Sequence, residues 1–148
     1  MNSNINEIDQ SSMAVVHGGG QVFIDRLAPW ATVVSRILLG LVLAWFGYHE
    51  LVVPKLWTGY VPFLSPASTA SQILVLLHGI VLGVLAAGLI AGVLPRMLAA
   101  FASLAMLEII ITLTITGGLS DLVLRDVGVL GLALLVFASK HEKLVIQS

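Results

Sequence analysis

Long apolar segments constrain this chain more than any other feature. Ile73–Leu94 contains one ionisable side chain, His78, and Met97–Leu119 contains one, Glu108. A helix that crosses a bilayer needs about 20 mostly apolar residues, because its backbone N–H and C=O groups find no water there and must pair within the helix. Both segments are therefore predicted to be transmembrane helices.

Two further segments, residues 32–53 and 122–139, are predicted to span the membrane. Their charged residues lie near the segment ends, where side chains can reach the headgroups and insertion costs less. Pro95 and Arg96 form a predicted tight corner between the second and third spans. The predicted fold is an all-α membrane protein, a four-transmembrane-helix bundle within residues 31–140 with spans at about residues 32–53, 73–94, 97–119 and 122–139.

The two ends of the chain lie outside this predicted bundle. Residues 1–20 are polar and are expected to form a water-exposed tail, and residues 141–148 a cytoplasmic one. Residues 21–30 mix apolar and charged side chains, which indicates a short interfacial amphipathic segment before Pro29 turns the chain into the membrane.

Positive charges predict the orientation of the bundle. Five lysines and arginines fall on one side of the predicted membrane and two, Lys55 and Arg125, on the other. Because cytoplasmic loops carry the excess of positive residues, both termini are predicted to be cytoplasmic. The predicted location is the plasma membrane, with the first helix as an uncleaved anchor. The five are Arg26, Arg36, Arg96, Lys140 and Lys143.

Composition narrows the partners and cofactors. Hydrophobic residues make up 58% of the chain and charged residues 10%, against about a quarter charged in soluble proteins, so lipid is the expected environment. A net charge of −1 offers no basic surface for nucleic acid. Without cysteine, the chain lacks thiolate ligands for zinc or iron–sulfur clusters, and no covalently bound cofactor is expected.

Six ionisable side chains are predicted to lie between the membrane midplane and the outer surface. Such groups are costly inside a bilayer unless paired or hydrated, so each is a functional candidate. We expect His78 to face Glu108 inside the bundle, and Arg125 to pair with a nearby carboxylate, either Glu50 or Asp126. Thr112 lies one turn from Glu108 on the same helical face. The six are His49, Glu50, His78, Glu108, Arg125 and Asp126.

Small residues in the second span predict close helix packing. Gly79 and Gly83 share one face, and Gly88 and Gly92 form a second pair with the same spacing. Small residues four apart let the backbone of another helix approach closely. His78 is next to the first of these faces.

Three interpretations of the polar cluster stay open. It could form a pocket in which a quinone headgroup exchanges protons with His78 or Glu108, since histidine has an unperturbed pKa of about 6.5. It could equally be a hydrogen-bonded clasp between helices. Its ligand types also suit a metal, but no Glu-x-x-His spacing places two ligands on one helical face, so no metal site is predicted.

Three aromatic residues of the first span could either line a pocket or face lipid. Trp45, Phe46 and Tyr48 could wall a quinone pocket. Aromatic residues near a membrane interface more often face lipid, and the sequence favours that interpretation.

Several short motifs resemble the DoxX/DoxD family of small four-helix membrane proteins across residues 33 to 138. The resemblance implies a protein similar to the membrane subunit of thiosulfate:quinone oxidoreductase, with a quinone as its ligand. Where many relatives carry a glutamate before the glycines of the second helix, this chain has His78. The motifs are Arg36 in Ser-Arg-Ile-Leu-Leu-Gly, Trp45-Phe46-Gly47, the run of Pro54, Trp57, Gly59, Tyr60 and Pro62, His78-Gly79, Pro95-Arg96, and Arg125-Asp126.

The sequence thus predicts a membrane subunit of a redox complex that contributes a quinone or quinol pocket. Other membrane or membrane-associated redox subunits are its expected partners, because this chain lacks ligands for a recognised redox centre. The alternative is a non-catalytic accessory subunit that stabilises a larger enzyme complex. A transporter is disfavoured by the lack of internal repeats and broken helices.

Overall fold

The computed structural model describes residues 3–139, and these residues are organised in helices. Two single-turn 3-10 helices, Pro54–Leu56 and Thr58–Tyr60, lie in the loop between the first and second long helices. The four long helices are α1 at Ser3–Val52, α2 at Thr69–Ala91, α3 at Pro95–Gly117 and α4 at Asp121–Ala138.

Three helices are long and apolar enough to cross a bilayer: Trp30–Val52 within α1, all of α2 and all of α3. Each stretch has 23 residues, a length of about 35 Å against a hydrocarbon core of about 30 Å. Large apolar side chains on the outside of the bundle, such as Val84 and Leu104, are more than half exposed, as contact with lipid requires. The chain is therefore a multi-pass membrane protein.

Helix α1 is longer than predicted. It runs without interruption from Ser3 to Val52, so it includes most of the predicted polar tail and the segment predicted at 21–30. Pro29 does not end the helix. A proline removes one backbone hydrogen bond and can bend a helix, but the helix continues on both sides of it. An interfacial position for residues 21–30 stays a prediction, and the predicted tail at 141–148 lies outside the described residues.

Helix α2 begins and ends earlier than the predicted 73–94. It starts at Thr69 because Ser68 caps it, with the side-chain oxygen of Ser68 accepting a hydrogen bond from the backbone nitrogen of Ser71 at 3.1 Å. It ends at Gly92, whose φ of 76° is left-handed and costs glycine little. Gly92 was predicted to pack against another helix, and its role here is to end α2.

The reversal between α2 and α3 lies at residues 92–94, just before the predicted corner at Pro95 and Arg96. Pro95 is the first residue of α3, a position where the missing N–H is not needed. The guanidinium Nε of Arg96 donates to the carbonyl oxygen of Phe137 at the end of α4, at 3.3 Å. The two residues predicted to form the corner therefore begin the next helix.

Helix α4 has 18 residues, about 27 Å in length, close to the predicted 122–139. It is not among the three stretches long and apolar enough to span, because charged residues occupy its first two turns. Its C-terminal end meets the other helices, where the hydroxyl of Thr32 in α1 donates to the hydroxyl of Ser139 at 3.5 Å.

Glycines bring α1 and α2 into close contact. A Cβ atom on Gly47 of α1 would lie 2.8 Å from the carbonyl oxygen of Gly79 and 3.1 Å from the backbone nitrogen of Gly83. The face of α2 predicted to pack closely thus packs against α1. Gly88 faces α3, where an added Cβ would clash with Cδ1 of Leu98. The largest fully buried apolar side chains between the helices are Leu39, Leu43, Leu82, Leu89, Met106 and Val136.

Candidate functional site

A cavity of about 720 Å³ lies at the end of the bundle where α1 ends and α2 begins. The loop between those helices and residues of α3 and α4 complete its wall, which is mainly apolar and aromatic. The seven residues predicted to form a pocket all line it. These are His49, Glu50, His78, Glu108, Thr112, Arg125 and Asp126.

His78 stands between two carboxylates from different helices. Its Nδ1 lies 2.8 Å from Oε2 of Glu50 on α1, and its Nε2 lies 3.7 Å from Oε2 of Glu108 on α3. The prediction that His78 faces Glu108 gives the right neighbour, but the hydrogen bond is made to Glu50. One imidazole ring therefore links three helices.

The two carboxylates differ in exposure. The side chain of Glu50 is 7% exposed and that of Glu108 is 57% exposed. Glu50 fits beside α2 because Gly79 has no side chain: a Cβ there would lie 3.0 Å from Cβ of Glu50. When Glu50 is ionised its carboxylate can only accept hydrogen bonds, and Nδ1 of His78 is then the donor.

Arg125 pairs with its neighbour Asp126, one of its two predicted partners, and not with Glu50. Its Nε donates to Oδ1 of Asp126 at 3.0 Å, and its guanidinium carbon lies 4.9 Å from the ring centre of Phe46. Such a cation over an aromatic face is attracted by the ring quadrupole. The side chain of Asp126 is 1% exposed, and its Oδ2 has no hydrogen-bond partner among the described residues.

His49 is held at the edge of the cavity by its own helix. Its Nδ1 donates to the carbonyl oxygen of Trp45 at 2.9 Å, and the two rings lie 4.3 Å apart. Among the side chains that the structure describes, no three His, Asp or Glu residues are grouped closely enough to hold a metal ion.

The three aromatic residues of α1 face different environments. The favoured lipid-facing position is wrong for Phe46, which is buried and lines the cavity. Trp45 is 65% exposed and Tyr48 is 59% exposed on the outside of the bundle. Residues next to each other on a helix point about 100° apart, so one residue lines the cavity while its neighbours face outward.

Two aromatic residues of the loop complete the cavity wall, although neither was predicted as a pocket residue. Trp57 lies between the two 3-10 helices and Tyr60 is the last residue of the second. Their ring centres are 6.2 Å apart, and Trp57 meets Phe46 edge-on at 6.4 Å. The signal in the sequence is their spacing of three, which places both on one side of a 3-10 turn.

Glu108, Thr112 and Thr116 lie four residues apart on one polar face of α3, and only the first two line the cavity. Thr112 lines the wall with Glu108, whereas Thr116, one turn further on, does not. Both threonine hydroxyls donate to carbonyl oxygens of their own helix, Thr112 to Ile109 at 3.0 Å and Thr116 to Thr112 at 2.7 Å. Their polarity is thus largely satisfied within α3.

No family model, curated protein or solved structure matches this chain. The geometry of the cavity therefore has to support any functional proposal.

Proposed function

We propose that this protein is the membrane subunit of a redox complex and that its cavity holds a quinone or quinol. The observation that carries the proposal is an apolar and aromatic cavity of about 720 Å³ with an imidazole between two carboxylates on its wall. Its volume is within the usual range of small-molecule sites, about 300–1,000 Å³. A quinone has an apolar ring and tail that suit the apolar and aromatic wall, and two polar oxygens that can meet the polar side chains.

The side chains have distinct proposed roles. Phe46, Trp57 and Tyr60 hold the apolar part of the ligand and exclude water. His78 and Glu108 exchange protons with the headgroup, because imidazole takes and releases a proton near neutral pH. Electrons enter or leave through a redox centre in a partner subunit, the class of partner expected for a chain without cysteine ligands. The motifs that resemble the DoxX/DoxD family favour the same ligand.

The proposed topology has four spans with both termini in the cytoplasm and the protein in the plasma membrane. The contacts of Thr32 with Ser139 and of Arg96 with Phe137 support α4 as the fourth span, because they bring its end level with the beginning of the α1 span. Its length of about 27 Å is close to the hydrocarbon thickness. The positive charges of the sequence favour this orientation.

Single-cysteine labelling tests the topology, because the natural chain has no cysteine to interfere. With a membrane-impermeant maleimide on intact cells, we expect Lys55→Cys and Leu119→Cys to react. Arg96→Cys and Ser148→Cys should react only after permeabilisation. If Ser148→Cys reacted on intact cells while Arg96→Cys did not, α4 would not span the membrane.

Photolabelling tests the pocket directly. We expect an azidoquinone probe, added to the full chain in lipid nanodiscs, to label peptides that contain Trp57 and Tyr60, because these side chains line the cavity. An excess of unlabelled quinone should abolish most of this labelling. The outward-facing Trp45 and Tyr48 serve as an internal control for probe dissolved in lipid. Labelling confined to those two, or unaffected by the competitor, would contradict a quinone pocket.

A non-catalytic accessory role is the second candidate, favoured by one observation. The hydrogen bond of 2.8 Å between His78 and the buried Glu50 joins α1 to α2 and would serve as a packing clasp without any ligand. Substituting asparagine for His78 separates the two functions, since the amide keeps a hydrogen-bond donor near the position of Nδ1 but does not take up a proton near neutral pH.

A further inference from the structure

The charged groups that line the cavity are mostly hydrogen-bond acceptors. Three carboxylates contribute to the wall: Glu50 from α1, Glu108 from α3 and Asp126 from α4. Arg125 is the single lysine or arginine among the described lining residues, and its Nε already donates to Asp126. Ionised carboxylates accept hydrogen bonds and cannot donate them.

One carboxylate oxygen of Asp126 accepts no hydrogen bond from the described residues. Its side chain is 1% exposed and its Oδ1 is engaged by Arg125, while Oδ2 has no hydrogen-bond partner among the described residues. Leaving a buried charged acceptor unsatisfied is costly. An O–H or N–H group of a ligand would remove that cost.

The uncharged form of His78 presents a second acceptor of this kind. When the ring is uncharged and its Nδ1 donates to Glu50, Nε2 carries a lone pair. This nitrogen is also buried and without a hydrogen bond in the described part of the chain. The nearest carboxylate, that of Glu108 at 3.7 Å, is beyond hydrogen-bond distance and is an acceptor when ionised.

From these buried atoms without a hydrogen-bond partner we infer that the cavity binds the reduced, hydroxyl-bearing form of its ligand, a hydroquinone, more tightly than the oxidised quinone. A hydroquinone carries two O–H groups, which can donate to Oδ2 of Asp126 and to Nε2 of an uncharged His78. A quinone carries two carbonyl acceptors and no donor, so these same atoms repel it. The inference rests on the proposed function, which it deepens by naming the form of the ligand that the site prefers.

Comparing two redox forms of one ligand tests the inference on the unmodified protein. Decylhydroquinone, decylbenzoquinone and the dimethyl ether of the hydroquinone share one tail and differ in their donors. We expect the full chain in nanodiscs to bind the hydroquinone about tenfold more tightly or better, as hydrogen bonds to charged groups allow. The dimethyl ether should bind as weakly as the quinone. Calorimetry under anaerobic conditions measures all three dissociation constants.

The outcomes separate this inference from the proposed function. Equal affinity for both redox forms, or tighter binding of the quinone, overturns the preference and leaves the quinone pocket standing. Binding of neither form overturns both. Should the dimethyl ether bind as tightly as the hydroquinone, the donors are not recognised and the inference fails.

A variant pair assigns the preference to a residue. Asp126→Asn replaces the free acceptor by an amide and is expected to remove most of the preference for hydroquinone. Asp121→Asn is the matched control, because Asp121 lies exposed on the same helix and outside the cavity wall. An unchanged preference in a folded Asp126→Asn protein would contradict the role of Asp126. If that variant does not fold, the comparison on the unmodified protein still decides.

Discussion

A Gly47→Leu protein is expected to lose the close packing of α1 against α2, with a fall in the free energy of unfolding of about 1–3 kcal/mol or more. The reason is that its first side-chain atom would meet backbone. The carbonyl oxygen of Gly79 would lie 2.8 Å from the new Cβ and the backbone nitrogen of Gly83 3.1 Å from it. Backbone atoms cannot rotate away as a side chain can, so the two helices must separate.

Separation of these helices would also weaken the polar site. Glu50 lies three residues after Gly47 on α1, and its carboxylate holds His78 at 2.8 Å. Thermal unfolding of the purified chain in detergent measures the loss as a lower Tm. Gly83→Ala is the matched control on α2, since a Cβ there would meet nothing within 4 Å and alanine favours a helix. An unchanged Tm for Gly47→Leu would contradict this account of the interface.

Hydrophobic length alone was enough to predict the helices that span the membrane. The segments predicted at 73–94 and 97–119 coincide with most of α2 and α3. Their ends depend on local chemistry that an apolar pattern does not weigh, namely the cap formed by Ser68 and the left-handed Gly92. As a result, α2 begins four residues earlier and ends three residues earlier than predicted.

The partner of the glycine face was harder to predict than the face itself. Gly79 and Gly83 stand four residues apart on α2 and give a familiar small-residue spacing. On α1 the glycine that packs against this face is Gly47. Gly40, which lies seven residues or about two helical turns earlier, packs against Ala86 and Ile90 further along α2. That wider spacing was present in the sequence but was not recognised as a packing face.

The pairing within the site could be predicted only in part. The cost of burying ionisable groups in a membrane predicts that they lie together, and all six line one cavity. Which carboxylate bonds to His78 depends on how each helix is rotated about its axis. The glycine contact with Gly47 sets that rotation and turns Glu50 toward α2. The sequence of α1 alone does not show how the helix is rotated about its axis. For the same reason it does not show that Phe46 lines the cavity while Trp45 and Tyr48 face outward.

His78→Asn is expected to lower quinone-linked electron transfer by about 100-fold or more, the usual contribution of a general acid or base. The amide nitrogen of asparagine can still donate to Glu50, so the link between α1 and α2 is expected to persist. The lost property is proton uptake at Nε2. Thr114→Val is the matched control, because the Thr114 hydroxyl donates only to the carbonyl oxygen of Ile110 in its own helix, at 2.7 Å, and lies outside the cavity wall.

The central claim is that the imidazole between two carboxylates handles the protons of a quinone or quinol. Its most direct test is the rate of quinone-linked electron transfer by the redox complex that is purified through a tag on this chain. We predict that the His78→Asn complex assembles in normal yield with an unchanged Tm but transfers electrons at the reduced rate, while Thr114→Val matches the natural protein. Full activity in the His78→Asn complex would contradict the claim and leave the accessory role.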